Sequence, residues 1–103
     1  MDKQSRIEKI NNLIEQYELD AALKLIAGEL EHNKDDVEVL CQKGKILTKM
    51  QQYGDALNVY KQVLDINPGF EQAETAITMI DNILKIRRTF YFENTYTDDE
   101  LYC

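Results

Sequence analysis

The sequence predicts an all-α chain of five helices arranged as antiparallel pairs, and three observations lead there. Apolar residues recur three and four apart along most of residues 3–88, the spacing of one helix face. The sequence also matches itself at a shift of 34 residues: Leu13 falls on Leu47, Leu19 on Tyr53, Ala22 on Ala56, Leu23 on Leu57, Ile26 on Tyr60 and Leu30 on Leu64. Such ungapped register is the mark of two copies of one supersecondary unit. Finally, the polar run Asn33–Asp36 and the single proline, Pro68, fall between periodic segments, where helices should stop.

Taken in order, Lys3 to about Gln16 is the first helix, with Asp2 as its N-cap and Ile7, Ile10, Leu13 and Ile14 as its apolar stripe. The second runs from about Leu19 to His32, with Ala22, Leu23, Ile26 and Leu30 on one face. Asp35 lies three residues before Glu38, a spacing that suits a capping box for the third helix. Leu40, Gly44 and Leu47 mark the stripe of that helix; Tyr53, Ala56, Leu57, Tyr60, Val63 and Leu64 mark the fourth. Gly44 and Ala56 are the small residues expected to face each other where the two helices approach. In the first copy Ile10, Glu29 and Lys34 stand in place of Gly44, Val63 and Pro68. A terminal copy is expected to drift, because one side of it meets water.

A fifth helix is expected from about Phe70 to Arg88, with Ala73, Ala76, Ile77, Ile80 and Leu84 packing on the preceding pair. Met79, Ile83, Ile86 and Phe90 form a second stripe beside the first, so the apolar arc spans roughly 180° rather than the roughly 100° of an ordinary surface helix. Glu74, Thr78 and Asp81 seal the face where a further helix would dock. Residues 89–103 hold five of the nine aromatics and four acids without a base, and are expected to form a tail. Within it Phe90–Thr97 admits a small hairpin turning at Glu93-Asn94, and Thr97 to Glu100 admits a final helical turn.

Composition narrows the function. The formal net charge of −7 leaves no basic stripe for nucleic acid. The charge is uneven: nine acids and five bases in residues 1–36, three and four in 37–70, seven and three in 71–103, so a slightly basic middle lies between acidic flanks. No apolar run approaches the roughly 18 residues of a membrane span, and the charged start DKQSRIEKI has no signal-peptide character. A cytoplasmic location is the expectation. Cys41, Cys103 and His32 fit no metal spacing, and no phosphate loop or catalytic triad can be argued from spacing. Neither a cofactor nor an enzyme is expected.

The stretch VEVLCQKGKILTKMQQYGDALNVYKQVLDINPGF, residues 37–70, resembles the tetratricopeptide repeat (TPR), a 34-residue helix–turn–helix unit. The resemblance covers residues 3 to about 88: a first repeat at about 3–36, a second at about 37–70 and a capping helix at about 70–88, followed by the 89–103 tail. The second repeat departs from the pattern at Leu40, where the family has a bulky aromatic, and at Lys43, usually apolar. The resemblance implies a short right-handed solenoid whose concave face binds a peptide or partner protein. On this chain that face would comprise Ile7, Asn11 and Ile14, then Cys41, Lys45 and Lys49, then Thr75, Met79, Ile83 and Ile86, with Gln4, Glu38 and Gln72 beside them. Some members clamp the acidic tails of chaperones with cations; the corresponding places here are Ile7, Asn11, Gln42, Gln72 and Ala76, and none carries a charge.

Two function classes follow. One is an adaptor or scaffold whose groove holds a segment of another protein, and an accessory subunit of an enzyme complex would share its chemistry. The other is a self-associating module whose groove is filled by the tail of its own or a second copy. In that case Phe90, Phe92 and Tyr96 would cover the apolar stripe, and Asp98, Asp99 or Glu100 would approach Lys45 and Lys49.

Overall fold

A computed structural model describes the backbone of residues 2–98 and the side-chain surroundings of residues 2–88. Among the described residues there are five helices and no strand: α1 (Lys3–Glu15), α2 (Leu19–His32), α3 (Val37–Lys49), α4 (Tyr53–Ile66) and α5 (Glu71–Asp98). Each helix packs on the next, and α3 also touches α1 and α5. Residues 99–103, including the expected final turn beyond Asp98, lie outside the described residues.

The two helix pairs share one backbone. The bounds of α3 and α4 lie 34 residues after those of α1 and α2. Tyr17 and Gln51, again 34 apart, both take φ 63°, the left-handed region. In each case the following amide reaches back five residues to the helix end, Glu18 N–H to the Leu13 carbonyl at 2.8 Å and Gln52 N–H to the Leu47 carbonyl at 2.9 Å. These bonds satisfy carbonyls that a helix end leaves open, and they fix the reversal between paired helices. The αL conformation costs a non-glycine residue on the order of 1–2 kcal/mol. Tyr17 offsets part of it by donating its hydroxyl to the Lys49 carbonyl at 2.9 Å.

The starts of α1 and α3 also correspond. Asp2 caps α1 as expected, accepting from the Ser5 amide at 2.9 Å. The cap of α3 is Asp36, one residue later than the Asp35–Glu38 box implied; its carboxylate accepts from the Glu38 and Val39 amides. Asp36 is the counterpart of Asp2 at the 34-residue shift, so the recurrence places this cap better than the local motif does. Lys3 joins the two starts, 3.2 Å from Asp36 and 2.9 Å from Glu38.

Two buried clusters make the core. Ile10, Ile14, Leu19, Ala22, Ile26, Val39 and Ile46 form one among α1, α2 and α3; Leu40, Cys41, Leu47, Ala56, Val59, Tyr60, Val63, Ala73 and Ile80 form the other among α3, α4 and α5. α3 contributes to both, which is why it is the most buried helix. The close approach at Gly44 is not with Ala56. A β-carbon on Gly44 would stand 2.6–2.9 Å from three carbons of the Tyr60 ring. In the first pair the same two positions hold Ile10 and Ile26, both 1% exposed, so a glycine–tyrosine pair replaces two isoleucines.

α5 departs furthest from expectation. It begins at Glu71 and continues through residue 88, where the sequence suggests a change from helix to tail, and on to Asp98. The hairpin over 90–97 is therefore replaced by helix. Residues 71–98 contain neither Gly nor Pro, and extending an existing helix costs far less than nucleating a new structure, so the strand preference of aromatic and Thr residues is overridden. Ala73 and Ile80 are fully buried, Ala76 and Ile77 half-buried, whereas Leu84 is already 36% exposed. No described helix is long and apolar enough to cross a membrane.

Candidate functional site

α3 and α5 lie side by side, and a shallow depression of about 430 Å³ opens where both meet α4. Cys41 and Lys45 line it from α3, Tyr60 from α4, and Glu71, Gln72, Thr75, Ala76 and Met79 from α5. Thr75 and Met79 also belong to a second, more open depression of about 570 Å³ that continues along α5 to Ile83 and Ile86. The two thus meet in one surface, with a polar rim at Lys45, Glu71 and Gln72 and an apolar run from Met79 onward.

The floor of the groove is held by the Gly44–Tyr60 packing. With the ring lying over a residue that has no side chain, the Tyr60 hydroxyl reaches the Cys41 carbonyl at 3.4 Å. Burial pushes the Tyr60 phenol up to about 12, with the neighbouring Cys41 adding to the effect. The Cys41 thiol is likewise pushed up to about 11 by burial, against a weaker downward pull from Lys45. Both groups are therefore neutral at ordinary pH and act as hydrogen-bonding or apolar floor, not as a thiolate nucleophile.

The residues named from the TPR resemblance are only partly brought together. Cys41, Lys45, Thr75 and Met79 share the groove, and Ile83 and Ile86 lie on its continuation. Ile14 is 2% exposed and packs inside the first cluster, leaving a partner almost nothing to touch. Asn11 is engaged within the chain: its side-chain oxygen accepts from the Gln42 amide at 3.0 Å, and the same amide donates to the Ile7 carbonyl at 3.0 Å. Lys49 holds its ammonium 5.9 Å from the centre of the Tyr17 ring. The face is thus split, with an α1–α3 half closed by internal bonds and an α3–α5 half left open.

Sequence reasoning missed Tyr60 and Ala76 as groove residues, having assigned both to the core. A signal for Tyr60 was present, since Gly44 and Tyr60 differ together from Ile10 and Ile26 at the 34-residue shift. It also missed Gln42, which is 5% exposed and ties α1 to α3 while its side-chain oxygen finds no partner. Among the described residues no cluster of three His, Cys, Asp or Glu side chains is arranged to hold a metal. Compared with known proteins, the chain matches no protein-family model, and no solved structure matches it significantly.

Proposed function

We propose that this chain is a non-enzymatic, TPR-like protein–protein interaction module that binds a peptide or partner segment in the groove between α3 and α5. The observation that carries the reading is the open depression with its neutral Cys41–Tyr60 floor, its apolar wall at Ala76 and Met79 and its polar rim. A surface of this kind suits a short segment presenting one or two apolar side chains, with the rim fixing the backbone. The recurrence of helix bounds and turn geometry at 34 residues supports the TPR-like arrangement. A solenoid built this way leaves the first helix of each pair on one face, which is where α3 and α5 meet.

The test is selection of peptides from a random library on the immobilised full chain, followed by calorimetry of the enriched sequences. Thr75 is exposed on a helix surface at the junction of both depressions, so Thr75→Arg fills the groove without touching the core. Enriched apolar peptides should bind the native chain and lose at least about tenfold, or 1.4 kcal/mol, on Thr75→Arg. A library that yields no binder, or binders indifferent to the substitution, would refute the groove.

A further inference from the structure

The apolar run that continues past the groove along α5 calls for an occupant of its own. Met79 is 46% exposed and Ile86 67%, with Ile83 half-buried between them. Their spacing of four then three, carried on in the sequence to Phe90, is that of a helix–helix seam rather than of a peptide pocket. Residues 89–103 cannot reach back to cover it. Up to Asp98 they extend the same helix, which does not fold onto its own face. From Asp98, residues 99–103 reach at most about 17 Å, whereas Ile83 lies about 22 Å back along the helix.

Two further features select the occupant. Arg87 holds its guanidinium 5.6 Å from the centre of the Tyr53 ring, and Tyr53 is the first residue of α4. Beyond Arg88, then, α5 runs past the start of its neighbour, and a helix without packing along its length is marginal in water. The second feature is charge. On a chain of net charge −7 two copies repel, yet the residues around this stripe, Thr75, Thr78, Asn82 and the apolar three, are neutral apart from Glu74. Here self-contact costs least.

We propose that α5 pairs with α5 of a second copy, antiparallel about a two-fold axis near Lys85, through the Met79–Ile83–Ile86 stripe. The two-fold is self-complementary: Ile83 of one copy lies beside Ile86 of the other, and Met79 lies opposite the heptad position of Phe90. The seam is short, so the dimer belongs to the small, reversible class and dissociates on dilution. This inference stands apart from peptide binding in the groove, because Ile83 and Ile86 lie outside the Cys41–Tyr60 depression.

The experiment is sedimentation of the full-length chain over a concentration series, with Ile86→Asp and Ile86→Leu alongside. The native chain and Ile86→Leu should move from one to two chain masses as concentration rises. Ile86→Asp should stay at one and melt like the native chain at low concentration, since Ile86 is mostly exposed within a single copy. Orientation is read by double electron–electron resonance on spin labels at Glu74→Cys or Lys85→Cys in a Cys103→Ser background. Antiparallel pairing places the Lys85 sites within roughly one interhelical spacing, about 10 Å between axes. It places the Glu74 sites about 30 Å apart along the axis. A chain that remains monomeric, a dimer unaffected by Ile86→Asp, or equal short distances from both label sites would each overturn the proposal. Peptide binding to Ile86→Asp, followed separately, reports on the groove alone.

Discussion

Gly44→Ala sets two effects of known size against each other. In a helix interior alanine is favoured over glycine by about 0.8–1.0 kcal/mol, so an open site would be stabilised. Gly44 is not open: the new β-carbon would lie 2.6, 2.7 and 2.9 Å from three Tyr60 ring carbons, against an ordinary carbon–carbon contact of about 3.5–4.0 Å. The ring must retreat by about 1 Å, and with three of its atoms involved no small rotation clears the clash. Tyr60 is only 5% exposed, so the retreat is into packed neighbours. Overpacking of this kind costs about 1–3 kcal/mol, and the already long hydroxyl bond to the Cys41 carbonyl would lose up to about 1 kcal/mol more. The net expectation is destabilisation by about 1–3 kcal/mol, each unit lowering the melting point of a domain this size by about 4–8 °C. Urea and thermal unfolding measure it. Gly44→Ala with Tyr60→Ile, which moves toward the isoleucine pair of the first repeat, should recover much of the loss as a favourable coupling energy. A single variant as stable as the native chain or more so would mean that propensity wins and the ring is not packed there.

Gln42→Ala removes both bonds that tie α1 to α3 and leaves the Ile7 carbonyl short of a donor; a loss of about 1–3 kcal/mol is expected, with α1 amides exchanging faster than those of α4. Uniform exchange across the helices would contradict that role. The Cys41 thiol, ordinarily near 9.0, is pushed up to about 11 in the folded chain, so its contribution is fully present below pH 9 and is lost as pH rises through 11, because the unfolded thiol ionises first. The denaturation midpoint of the native chain should therefore fall more steeply than that of Cys41→Ala across this window, and equal slopes would count against burial of the thiol. Finally, an acidic chaperone-tail peptide should give no heat of binding in calorimetry. The clamp positions Ile7, Asn11, Gln42, Gln72 and Ala76 carry no cation, and Asn11 and Gln42 already bond to each other, so desolvating carboxylates gains little in return; micromolar binding would overturn this.

The helices themselves were legible because their cause is local. The 3.6-residue spacing of apolar positions places α1 to α4 within about a residue of their observed ends, and the 34-residue recurrence fixes their pairing. Asp2 as a cap needs only its neighbours, and it holds. The recurrence even carried information that local motifs did not, marking Asp36 rather than Asp35 as the cap of α3, and pairing Gly44 with Tyr60.

What tertiary structure decided depends on which side chains compete for one space. Periodicity puts Gly44, Ala56 and Tyr60 on facing stripes, but only the packed helices determine that the ring, and not the methyl group, occupies the space over the glycine. It assigns Ile14 and Asn11 to the same face as Met79, yet burial of the first and the bond of the second to Gln42 remove both from any open surface. The length of α5 is of the same kind: residues 89–98 favour strands when taken singly, and they become helix because they inherit a helix already anchored at Ala73 and Ile80. Short-range preferences of a few tenths of a kcal/mol yield there to propagation from a packed end.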